Sequence, residues 1–143
     1  MKVNIILKSH CSQIGVEVSY LVFSVFISHS MSDRKLVDEL AKWLNANGIN
    51  AHVAEWYIQA GEALPTKIAQ LIDQSDCVLA IMTTDGERST WVNQEIGYAK
   101  KAQKLIVPLV EEGTPVTGFV SGLEYIPFRR YDPYDAINRV VYY

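Results

Sequence analysis

Tyr20-Leu-Val-Phe-Ser-Val-Phe-Ile27 is apolar almost throughout, rich in β-branched and aromatic residues, and stops at Ser28-His29-Ser30. Such a short run suits a strand buried on both faces of a sheet, the setting of a parallel sheet in an α/β domain. The residues that follow support this. From Ser32 onward, Leu36, Val37, Leu40, Ala41 and Leu44 recur at the spacing of one helix face, and Asn47-Gly48 supplies a C-terminal stop. Ile49 to Ala54 is a second short strand, whereas Glu55 to Leu64 has no period and reads as a long functional loop. Pro65 opens a second helix carrying Ile68, Leu71 and Ile72. Cys77 to Met82 is a third buried strand, Thr83 to Ser89 a polar loop, and Trp91 to Lys104 a third helix. Leu105 to Val110 is a fourth strand, Glu124 to Phe128 a fifth, and Asp132 to the end a last helix.

Strands alternating with helices predict a flavodoxin-like α/β fold, a five-stranded parallel sheet in the order 2-1-3-4-5 with helices on both faces. In that order the topological switch point lies between the first and third strands, and ligands bind beyond their carboxyl ends. The residues there are Ser28 to Ser30 and Thr83 to Ser89.

Composition narrows the function classes. The chain has 143 residues, 13 Lys and Arg against 16 Asp and Glu, a net charge of −3, and 49% hydrophobic residues. One domain with an ample core is expected, and disorder is excluded. An acidic balance supplies no electrostatic footprint for phosphate backbones, so nucleic acid is not an expected partner. Cys11 and Cys77 lie far apart, outside any metal-binding spacing, and read as reduced thiols of an intracellular protein. The longest apolar stretch, Val18 to Ile27, is about half the length a membrane span needs. Glu17 interrupts the only signal-like run, so the cytoplasm is the expected location.

Several chemistries fail on motif. No GxGxxG follows the first strand and no GxxxxGK[ST] is present, which removes the dinucleotide grip of hydride transfer and the P-loop. A phospho-accepting receiver would place acids after the first strand and an Asp at the end of the third, where Ser28-His29-Ser30 and Thr83-Thr84 stand instead. Ser28 and His29 are adjacent, a spacing that rarely sets a nucleophile within reach of its base. On the third helix, Val92, Ile96 and Ala99 share the side facing the sheet, while Asn93, Lys100 and Lys104 face water. Trp91, Glu95 and Tyr98 form a separate stripe, one carboxylate between two aromatic rings. It suits either a site or a loop-packing surface with an acid near a helix start.

Val25-Phe-Ile-Ser-His-Ser30, Gln59-Ala-Gly-Glu62, Ser89-Thr-Trp-Val-Asn-Gln-Glu-Ile-Gly-Tyr-Ala99 and Leu105-Ile-Val-Pro-Leu109 together resemble a TIR (Toll/interleukin-1 receptor) domain. The resemblance covers 21–143 and leaves 1–20 as an amino-terminal extension of open role. It implies that the S-x-W-x-x-x-E pattern marks an NAD-cleaving member with Glu95 catalytic and Trp91 as the aromatic beside it. It also implies that the loop with Trp56, Tyr57, Ile58 and Gly61 is the BB loop, which gates the pocket and takes part in TIR–TIR assembly. Ala60-Gly61-Glu62 stands where many members carry Pro-Gly. The expected substrate-binding set is Ser28, His29, Ser30, Trp56, Gly61, Thr83, Trp91 and Tyr98.

The implied activity is an NAD+ glycohydrolase or cyclase, with NAD+ as substrate and no cofactor or metal. Its products would be nicotinamide and ADP-ribose or a cyclic ADP-ribose isomer. The implied partners are other TIR domains in a homo-oligomer and a separate effector protein reached through a nucleotide signal, as in prokaryotic antiviral defence. The alternative is a non-catalytic scaffold working through homotypic TIR–TIR contacts.

Overall fold

A computed structural model of the chain describes residues 22–54 and 64–142. Five strands and five helices follow one another among these residues: β1 Ser24–Ser28, α1 Arg34–Ala46, β2 Asn50–Val53, α2 Leu64–Gln74, β3 Cys77–Met82, α3 Thr84–Arg88, α4 Thr90–Lys101, β4 Leu105–Glu111, β5 Ile126–Phe128 and α5 Tyr134–Tyr142. The sheet has the order β2-β1-β3-β4-β5 with every pair parallel, as the alternation predicts.

Successive strand residues point to opposite faces, and this period sorts the core. Val25, Ile27, Leu79, Ile81, Val107 and Leu109 pack on α1 and α5, where the predicted stripe Leu36, Val37, Leu40, Ala41 and Leu44 is buried. On the other face, Phe26 and Val78 meet Ile68, Leu71 and Ile72 of α2 and Ala99 of α4. Ala80, Met82 and Val110 meet Val92 and Ile96 of α4. The two faces therefore end in different surroundings at the carboxyl edge of the sheet.

The structure corrects several boundaries. The first strand begins at Ser24, with Val22 exposed and outside it, and Tyr20 and Leu21 lie outside the described residues. The fifth strand starts at Ile126 and the last helix at Tyr134. A short 3-10 turn, Gly118–Val120, packs against α4 where no element was expected. Within the expected polar loop Thr83 to Ser89, Thr84–Arg88 is a helix of one turn, capped by Thr83. Thr83 Oγ1 accepts from Gly86 N at 3.0 Å, and Asp85 and Glu87 sit in the first turn, where they oppose the helix dipole.

Gly86 is fixed by contact. A Cβ at this position would lie 2.4 Å from the backbone oxygen of Ile81, which cannot yield without moving β3. Gly86→Ala is therefore expected to cost about 1–3 kcal/mol, read as a lower urea midpoint at constant slope. An unchanged midpoint would contradict the fit described.

α4 ends at Lys101, short of the expected Lys104, and two of the residues predicted to face water on that helix do structural work instead. Asn93 Nδ2 donates to the carbonyls of Glu87 and Ser89, tying α4 to α3. Lys104 Nζ donates to the carbonyls of Asp73 and Ser75 at 2.7 and 2.9 Å, placing a cation on the negative end of α2. Among the described residues, no helix is long and apolar enough to cross a membrane. The expected domain boundary near residue 20 and the loop 55–63 lie outside the described residues.

Candidate active site

Ser28 is the last residue of β1 and shares a face with Phe26, so its side chain points toward α2 and α4. It is wholly buried, and its Oγ donates to Oε2 of Glu95. Glu95 reaches this point because Ser89 starts α4 just upstream: Ser89 Oγ accepts from Val92 N at 3.2 Å. One and a half turns later the helix carries Glu95 against the end of β1, between the sheet-facing Val92, Ile96 and Ala99 and the outer rings of Trp91 and Tyr98.

Beside that carboxylate, between α2 and α4, lies a cleft of about 190 Å³, lined by Ile68, Ala69 and Ile72 on one side and Trp91, Gln94, Glu95 and Tyr98 on the other. Glu95 is the one carboxylate among the described residues lining it, and it is 5% exposed. Trp91 and Tyr98 are each about one-third exposed. The Tyr98 hydroxyl donates to both carboxylate oxygens of Asp73 at 3.0 and 2.9 Å, bridging α4 to α2. That hydrogen bond, followed by burial and the charge of Asp73, raises the phenol above its ordinary pKa, so the ring stays neutral and a donor.

The other polar cluster lies across the sheet. Thr83 follows β3 on the side of Leu79 and Ile81, and Glu111 ends β4 on the side of Val107 and Leu109. Thr83 meets Asp33 directly, and Glu111 is joined to it through Arg130; Asp33 stands in the 3-10 turn before α1, and its carboxylate is fully enclosed. Asp33 Oδ2 accepts from Ser30 Oγ at 2.8 Å and from Thr83 Oγ1 at 2.6 Å, and Oδ1 accepts from Arg130 Nη2 at 3.1 Å. Arg130 also donates to Glu111 through Nε and Nη2 at 2.8 and 3.0 Å. Glu111 foremost, with Asp33, holds the guanidinium more firmly protonated than usual.

The structure thus brings Ser28, Trp91, Glu95 and Tyr98 together and sets Ser30 and Thr83 in a separate network. His29 is buried, with Nδ1 3.3 Å from the Ile27 carbonyl oxygen, and does not line the cleft. Trp56 and Gly61 lie outside the described residues. Asp33, Glu111 and Arg130 escaped the sequence reading. Period-two alternation could have placed Glu111 beside Thr83, but Arg130 and Asp33 stand 97 residues apart and nothing local pairs them.

Cys77, at the start of β3, is buried, and burial foremost, with the nearby Asp76 charge, pushes its thiol up to about 12. A thiol so protonated is a poor nucleophile. Iodoacetamide at about pH 8 should leave Cys77 unmodified in the native protein and label it after unfolding, as read by peptide mass mapping. Rapid native labelling would contradict this. Stability should also fall as the pH rises from 9.0 toward 12, because the unfolded thiol ionises first.

A buried carboxylate against mainly apolar and aromatic walls can stabilise positive charge that develops in the cleft, where the surroundings screen it weakly. Comparison with known proteins bears on the fold that builds this cleft. A curated relative, the 2' cyclic ADP-D-ribose synthase AbTIR of Acinetobacter baumannii (strain 1295743), is 27% identical over 92 residues, 61% of this chain. The match spans 34% of that relative, about a third of its length.

Among solved structures, the TIR domain of the Toll-related receptor TRR-2 from Hydra magnipapillata superposes with a TM-score of 0.70 at 19% identity, covering 82% of this chain and 93% of that one. The TIR domains of the activated Roq1 resistosome superpose with a TM-score of 0.70 at 16% identity, covering 83% and 97%. The family model described as TIR domain matches residues 25–141, which include every described strand residue but Ser24. The chain belongs to the TIR domain family.

Proposed function

We propose that the chain cleaves NAD+ at the bond between nicotinamide and ribose in the cleft between α2 and α4, with Glu95 as the catalytic carboxylate. The observation that carries this reading is the placement of Glu95, buried at the wall of a cleft lined mainly by apolar and aromatic residues, between Trp91 and Tyr98. Membership of the TIR family and the likeness to a 2' cyclic ADP-D-ribose synthase support the same reading.

The chemistry suits one acid. An ordinary glycosidase needs a second carboxyl group to protonate the departing oxygen. Nicotinamide in NAD+ is already a cationic pyridinium and departs neutral, taking the bonding electrons and needing no proton. What remains is positive charge on the ribose, which Glu95 stabilises while it orients the ribose hydroxyls. Trp91 and Tyr98 offer ring surface to the nicotinamide. Attack by water yields ADP-ribose, and attack by a hydroxyl of the same molecule yields a cyclic isomer.

Within this reading the product signals to a separate effector protein, in prokaryotic antiviral defence. A second reading, a scaffold acting through TIR–TIR contacts, is favoured by the likeness to TIR domains within an activated resistosome. The two combine if neighbouring copies complete the pocket. Nicotinamide release that rises more steeply than protein concentration supports assembly-dependent catalysis. Release by wild type that Glu95→Gln lacks supports the catalytic reading, and equal release by both would refute Glu95 as its residue.

A further inference from the structure

We infer that Ser28 is a positioning residue for Glu95 and does not itself touch the substrate. The inference rests on the proposed NAD+-cleaving role of the cleft, and three observations carry it. Ser28 has 0% of its surface exposed and is absent from the cleft lining, whereas Glu95 retains 5% and lines it, so a ligand in the cleft meets the carboxylate and not the hydroxyl. The hydroxyl also stands on a rigid base. Ser28 pairs with Ala80 of β3, and the preceding Ile27 pairs with both Val53 of β2 and Leu79 of β3. Finally, the Ser28 hydroxyl donates to Glu95, and a donor aimed at a buried carboxylate is among the stronger hydrogen bonds a side chain makes.

Glutamate brings three rotatable bonds to a helix, and a carboxylate that must face a developing charge works only in the correct orientation. β1 supplies that orientation through one hydroxyl, at the switch point where the strand order reverses. Ser28 acts through Glu95, so its loss should lower the chemical rate and leave ground-state binding of NAD+ nearly untouched.

The test compares nicotinamide release from NAD+ by wild type, Ser28→Ala, Ser28→Thr, Glu95→Gln and the Ser28→Ala/Glu95→Gln double variant, each checked for its melting temperature. Ser28→Ala is expected to lower kcat about tenfold or more with KM within about twofold. Ser28→Thr, which keeps a hydroxyl on the strand, should recover most of that loss. Adding Ser28→Ala to Glu95→Gln should cost less than about twofold further, because the two residues act as a unit. If Ser28→Ala fails to fold, Ser28→Cys, of similar size but a weak donor, should show the same fall in kcat.

A rise in KM at unchanged kcat would make Ser28 a substrate contact and overturn the inference, as would unchanged values of both. Full additivity in the double variant would also overturn it. Wild type that releases no nicotinamide would overturn the proposed function and this inference together, whereas active wild type with an insensitive Ser28 overturns the inference alone.

Discussion

Glu95→Gln should lose nicotinamide release by about a hundredfold or more while keeping its fold, the loss expected of a group worth about 3–4 kcal/mol in charge stabilisation. The substitution preserves shape and removes charge. A glutamine amide can still pair with the Ser28 hydroxyl, which is able to donate or to accept, so neither partner is orphaned. The apolar neighbours Ile68, Ile72 and Trp91 lose nothing by it. Melting should therefore hold or rise slightly, as it does when a charge kept for chemistry leaves a buried place. A hundredfold loss with intact melting separates catalysis from folding, a distinction that Glu95→Ala would blur by leaving Ser28 without its acceptor. Chromatography of nicotinamide and circular-dichroism melting check the two halves.

Asp33→Ala should have the opposite profile, a large loss of stability with no specific effect on the cleft. Asp33 is the acceptor at which Ser30, Thr83 just after β3 and Arg130 two residues past β5 converge. Its removal strips the wholly buried Thr83 hydroxyl of its acceptor, and a buried donor left unmade costs about 1–3 kcal/mol. Arg130 is partly exposed and keeps Glu111, so its share is smaller. With the packing lost around the carboxylate, a total near 3 kcal/mol is expected, about a 10 °C fall in Tm for a domain of this size. KM for NAD+ in the folded fraction should not move. A fall under about 1 kcal/mol would show that the network can be dissolved without cost.

How much of this could be read from the chain depends on whether the signal was periodic. The apolar runs of β1 and β3 and the stripe from Leu36 to Leu44 on α1 specified the sheet and its helices, because burial on both faces demands such runs, whereas the order 2-1-3-4-5 came from the common arrangement of doubly wound folds. The Trp91, Glu95, Tyr98 stripe was legible for the same reason, since helical spacing alone sets it apart from Val92, Ile96 and Ala99. α3 has no periodic signature because one turn is too short to show a period, although Thr83 as a cap and Asp85 and Glu87 behind it are legible in the sequence. Ser28 and Thr83 both looked like ligand residues at the switch point. Strand parity sends one toward Glu95 and the other toward Asp33, a distinction that required knowing where each strand ends. The grip of Arg130 on Asp33 is a tertiary fact without a local signature.

The most direct test of the central claim is quantitative chromatography of NAD+ incubated with the purified protein over a wide range of protein concentrations. The account predicts nicotinamide in step with ADP-ribose or a cyclic isomer, lower by about a hundredfold or more in the Glu95→Gln control. NAD+ recovered intact at every concentration would contradict it.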